Sequence, residues 1–236
     1  MIKKLFTLLP IIVLLLCPPA KGQTVLLGED LRGDTIKPDY GMNRKHFRHF
    51  YLGVQFAGGP PETPGARISH GSSWAMEYGL RYKRRFSQVF SAGYEANISR
   101  MAFVIKQGDE KEIPDMLERK REKLVCLQTG LALYQRVSYG RRGDYIGRFI
   151  DVGVFGQWHF NVRHVGFKET EDERIRIRRS NLDYPNNLSY GVLARKGFNN
   201  FVFKTTYRLS DLFRSSAQLP ELPRFMFGME IGIHPL

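Results

Sequence analysis

The chain has little cysteine, no long apolar run beyond its first residues, and fewer acids than bases. It contains two cysteines in 236 residues, Cys17 and Cys126. Cys17 falls in a segment expected to be removed, and a single remaining cysteine cannot close an intramolecular disulfide, which excludes a cystine framework. The six histidines show no CxxC or HExxH spacing, so no metal and no cofactor is expected. After residue 22 no stretch approaches the roughly 20 apolar residues that a membrane-crossing helix needs. The 36 Lys and Arg outnumber the 23 Asp and Glu, for a formal charge of +13. An exported chain rarely meets nucleic acid, so the expected counter-charges are anionic lipid headgroups and lipopolysaccharide phosphates.

What is present begins with a three-part export signal over residues 1–22. Lys3 and Lys4 form the positive region, Leu5 to Leu16 the apolar core, and Ala20-Lys21-Gly22 a small-x-small cleavage site before Gln23. Leu16 ahead of Cys17 is too large for a lipoprotein signal, so ordinary cleavage is expected. Removing Lys3, Lys4 and Lys21, and no acids, lowers +13 to +10. Residues 23–48 show no period and end in Arg44-Lys45-His46-Phe47-Arg48-His49, which reads as a periplasmic tail leading into a single domain, residues 49–236.

That domain reads as eight strands in which apolar residues alternate with small, polar or charged ones. The last is the clearest: Phe225, Phe227, Met229, Ile231 and Ile233 alternate with Met226, Gly228, Glu230, Gly232 and His234. A period of two sends the two sets to opposite faces of a sheet. The same pattern runs through residues 50–57, 74–82, 89–98, 125–134, 150–160, 188–195 and 201–209. The apolar set carries no charge in any of the eight. The other set holds Glu77, Glu95, Asp151 and Glu230 against Arg81, Arg195, Lys204 and Arg208. A lipid-facing Arg or Lys at mid-bilayer costs about 2–4 kcal/mol, whereas inward charges can pair with one another. The apolar set is therefore expected outside and the charged set within.

Connection lengths alternate as well. Lys83 to Gln88, the stretch around Gly140 to Asp144, and Lys196 to Asn200 are short, while residues 58–73, 99–124, 161–187 and 210–224 are long and polar. Trp74, Trp158 and Phe160 sit at the long-loop ends of their strands, and Tyr82, Phe86, Phe149 and Phe201 near the short-turn ends. Short turns on one side, long loops on the other and aromatic residues at both edges suit an outer-membrane barrel. The expected fold is an all-β, eight-stranded antiparallel transmembrane up-and-down β-barrel with short periplasmic turns and long extracellular loops. Eight strands leave an interior filled by side chains rather than a wide pore.

In GRFIDVGVFGQWHF (Gly147–Phe160), YRLSDLF (Tyr207–Phe213) and ELPRFMFGMEIGI (Glu221–Ile233), the chain resembles the small outer-membrane β-barrel proteins common in Bacteroidota, the porin-family or PorT-like barrels. The likeness covers roughly residues 50–236. It implies a Gram-negative outer-membrane location and carries no shared chemistry, though a place beside a secretion or uptake complex would follow from it. One departure is the chain end, Ile233-His234-Pro235-Leu236, where many such barrels end on an aromatic residue.

His159, which shares a face with Asp151, is the candidate for chemistry, because a lipid-modifying barrel enzyme needs a base and a nucleophile open to lipid. Both point inward in this pattern, so no catalytic residue is expected. His159 and His234 read as interior residues. The loop after strand five holds the acidic run Glu169 to Glu173, then Arg174, Arg176, Arg178 and Arg179 alternating with Ile175 and Ile177. This suits a hairpin continuing above the membrane, with a basic ladder that contacts anions. The expected role is structural, adhesive or accessory, with partners reached through the outer loops or the periplasmic tail. Two rival readings are a lipid-modifying barrel enzyme and a soluble lipocalin-like barrel whose apolar face encloses a ligand.

Overall fold

A computed structural model describes residues 39–59, 65–108, 111–113, 119–140, 143–169, 174–180 and 182–233. The expected signal with Cys17, most of the expected tail, and His234 lie outside the described residues.

The described chain is all-β. Nine strands form one antiparallel sheet: β1 (His46–Gly58), β2 (Trp74–Arg85), β3 (Phe90–Ile105), β4 (Arg121–Tyr139), β5 (Arg148–Glu169), β6 (Arg174–Ser180), β7 (Leu188–Phe198), β8 (Phe201–Arg208) and β9 (Phe225–Ile233). Eight of them close into a ring. Each pairs with its neighbour in sequence, apart from β6, and β9 returns to β1 with Phe50 opposite Ile233 and Gly58 opposite Phe225. Ring closure leaves no edge strand to template aggregation, apart from the short β6.

The ring has the eight strands expected, and β6 is a ninth strand outside it. β5 runs nine residues past Phe160, and β6 pairs with that extension, Arg163 opposite Ser180 through Glu169 opposite Arg174. The hairpin expected above the ring is present, but its second strand is separate from β7. Three other boundaries also differ. β1 starts at His46, inside the expected tail; β3 continues to Ile105; and β4 spans Arg121–Tyr139, so much of the expected loop 99–124 is paired strand.

The expected faces are the observed ones. Outward residues such as Leu131, Val152, Leu188 and Met229 are 62–69 % exposed. Their inward neighbours Ala132, Asp151, Ser189 and Glu230 are at most 3 % exposed. Outward hydroxyls bond neighbouring strands: Thr129 donates to the carbonyl of Asn97 at 2.9 Å and Thr205 to that of Ala194 at 3.3 Å. A bulge where Leu127 faces Asn161 and Gln128 faces His159 leaves Phe160 as an extra residue on β5. It switches the alternation of β5, so that Arg163 beyond it points outward.

Inward glycines make room for rings. A side chain at Gly79 would meet the ring of Tyr51 at 2.7 Å, and one at Gly197 would collide with Phe149. The aromatic groups thus lie flat across neighbouring strands, and only glycine allows that approach.

Candidate functional site

The ring interior is built in three layers. Its middle holds four carboxylates and four cations, all nearly inaccessible. Arg81 on β2 donates to Glu95 on β3 at 2.9 Å and to Glu230 on β9 at 2.7 Å. Lys204 on β8 reaches Glu77 at 2.7 Å and Glu230 at 3.1 Å. Arg195 on β7 donates to Glu95 at 2.6 Å and lies 3.5 Å from Asp151. Arg136 on β4 grips Asp151 on β5 with two parallel bonds of 2.7 and 2.9 Å. Rings complete the cage, with the guanidinium of Arg81 4.3 Å from the Tyr51 ring and that of Arg136 3.5 Å from the Phe149 ring. Buried ions are tolerable only when paired and further hydrogen-bonded, and this arrangement balances the two signs.

The composition of this layer differs from the expected one in one member. Glu77, Arg81, Glu95, Asp151, Arg195, Lys204 and Glu230 meet in it, but Arg208 does not. Arg208 pairs with Glu221 of the β8–β9 connection at 2.7 Å and donates to the carbonyls of Ser210 and Leu222. Arg136, absent from the expected set, supplies the fourth cation.

Apolar layers lie on both sides of the charges. At the short-turn end Phe47, Ile146, Phe149 and Val202 pack together. At the long-loop end Ala75, Met101, Phe103, Ile105 and Cys126 from the strands pack with Ile113, Leu212, Phe213 and Leu222 from the connections. The long connections are thus folded down as an apolar cap. Between cap and charges lies a cavity of ≈ 40 Å³ lined by Glu77, Asn97, Ser99, Gln128, Lys204 and Arg208, among others. Asn97 Oδ1, Ser99 Oγ and Gln128 Oε1 are buried there without a protein partner. That volume suits a few water molecules, and three such polar atoms are suitable hosts for them.

His159 stands apart from the ion pairs. Its Nε2 lies 2.9 Å from Ser189 Oγ, so a base and a hydroxyl do meet. The two are 4 % and 2 % exposed, and His159 Nδ1 has no hydrogen-bond partner. Asp151, which shares its face, is taken by Arg136 and Arg195. Among the described residues no carboxylate orients the ring, a part that nucleophilic catalysis at such a pair uses.

Glu122 fastens the cap. It lies 2.5 Å from Lys111 and 3.1 Å from His164, and also pairs with Arg119 and accepts from Gln107. Burial pushes its carboxyl up, but the bonds from His164, Lys111, Gln107 and Arg119 outweigh this and hold it at about 2.

Outside, the apolar band has a basic collar on each rim. Arg48, Arg84, Arg148 and Lys196 are exposed at the short-turn rim. Arg100, Arg121, Arg176 and Arg178 are exposed at the other. Of the expected basic ladder, Arg176 and Arg178 face outward with Phe167 and Val165, whereas Arg179 pairs with His164 on the opposite face. Arg174 faces Glu169 in the register. Between the collars no described outward residue is charged. From Ile150 to Phe160 is roughly 33 Å of strand, and at about 40° of tilt this spans roughly 25 Å, the height of a lipid-facing band.

No known protein family matches the chain, and no curated protein matches it either.

Proposed function

We propose that the ring is a transmembrane β-barrel of the outer membrane and serves a non-catalytic structural, adhesive or accessory role through its folded external cap. The observation that carries this reading is the uncharged, exposed apolar band between two basic collars, wrapped around a charge-balanced interior. A soluble protein would not leave so large an apolar belt open to water. A soluble lipocalin-like ring would bury the apolar set and wet the charged one, the reverse of this arrangement. Sealing layers at both ends favour an anchoring or scaffolding role over conduction, and burial of His159 and Ser189 disfavours lipid chemistry.

Membrane fractionation tests this, with gel mobility compared before and after boiling in detergent. Recovery with the outer membrane and a heat-dependent shift are expected. Soluble recovery with no shift would overturn the proposal.

A further inference from the structure

The outward face above the apolar band carries cations that form no ion pair among the described residues. Arg100 on β3, Arg121 and Lys123 on β4, Arg163 on β5, and Arg176 and Arg178 on β6 share this face of four adjacent strands. The register interleaves them with apolar side chains: Lys123, Val165 and Arg178 form one row, and Arg121, Phe167 and Arg176 the next. The guanidinium of Arg176 lies 5.8 Å from the Phe167 ring. None of the six forms an ion pair with a described carboxylate. They crowd one another instead: after burial, Arg121, Arg100 and Arg176 are what lower the Lys123 ammonium. Six like charges on one face repel one another and raise the local potential for an anion.

The patch is also continuous with the apolar band. The paired rings of Trp158 and Phe160, 6.2 Å apart, mark the band edge on β5. Arg163 follows roughly 10 Å further along the strand. A ligand that satisfies both levels carries phosphates above and acyl chains below. An acidic peptide or free phosphate would use only the upper level.

We infer that this face binds the phosphate groups of a phosphorylated glycolipid of the outer leaflet, with the arginines as bidentate phosphate donors and the chains lying along β3 to β5. The inference rests on the membrane reading above.

The test uses the full protein in detergent beside a variant carrying Arg100→Gln, Lys123→Gln, Arg163→Gln and Arg176→Gln. The probes are a bisphosphorylated lipid A-type glycolipid, its dephosphorylated form, inorganic phosphate and an acidic peptide, with binding read by Trp fluorescence and native mass spectrometry. The phosphorylated glycolipid should bind the variant about a hundredfold more weakly, and its dephosphorylated form should bind the parent as weakly. Equal binding of parent and variant would overturn the inference, as would inorganic phosphate or the acidic peptide matching the glycolipid. Both proteins are also scored for membrane recovery and heat-dependent mobility. A parent that fails those refutes the membrane reading itself, whereas a parent that passes while binding no glycolipid refutes only this site.

Discussion

Arg136 and Asp151 face each other across β4 and β5 and share two parallel hydrogen bonds inside the ring, at 2.7 and 2.9 Å. Asp151 also lies 3.5 Å from Arg195, so its loss would strand Arg136 and leave Arg195 with Glu95 alone. Asp151→Asn should destabilise the protein by about 3–5 kcal/mol. Replacing Arg136 and Asp151 together with leucine should cost less than either single change. Urea unfolding followed by the heat-dependent gel shift measures both.

Leu131 is 69 % exposed in the middle of the band. Leu131→Arg should cost about 2–4 kcal/mol in a bilayer. In water the same change on an exposed strand position should cost almost nothing. Folding titrations in vesicles give the number, and a neutral result would count against lipid contact.

Interior glycines should tolerate no side chain where backbones meet. A Cβ on Gly228 would collide with the carbonyl oxygen of Val54, while one on outward Gly156 would meet nothing within 4 Å. Gly228→Ala should therefore cost about 1–3 kcal/mol, and Gly156→Ala should leave the unfolding midpoint unchanged.

The Glu122 carboxyl titrates at about 2 in the folded chain, below its ordinary value near 4.3. The sign follows: its stabilisation is complete above the ordinary value and disappears as pH falls toward the folded one. Pepsin cleavage between Ile105 and Leu124 should rise between about pH 4.3 and 2. Glu122→Gln should be cleaved readily at the upper end of that range already.

Cys126 is fully buried in the cap. A maleimide should leave it unmodified in a Cys17→Ser chain until denaturant opens the cap. Modification under native conditions would show that the cap opens.

Alternation along β1, β2, the lower part of β3, β5, β7, β8 and β9 is enough to assign faces and to locate seven of the eight interior charges. Arg136 was hidden because polar Gln135 interrupts the outward apolar series, which made β4 look finished at Tyr134. The upper parts of β3 and β4 were hidden for a related reason. Their outward positions include Arg100, Arg121 and Lys123, and charged residues there read as loop. The cap was not legible at all. Phe103 and Ile105 meet Leu212 and Leu222 across more than a hundred residues of chain, and no local period announces such a contact. The His159–Ser189 pair also needed the β5–β7 register to appear.

The division of charge among the strands bears on how such a ring enters a bilayer. The β7–β8 hairpin alone carries Arg195 and Lys204, with no acid of its own in the interior. Its counter-ions are Glu95 on β3, Glu77 on β2, Asp151 on β5 and Glu230 on β9. A half-inserted hairpin would hold two positive charges in hydrocarbon unpaired, and β9 alone would hold a negative one. Neutrality arrives only when β2 and β3, with one acid in excess, join β7 to β9, with one base in excess. On the proposed membrane reading, crossing into the bilayer would be a concerted act of the closed ring, rather than a procession of hairpins.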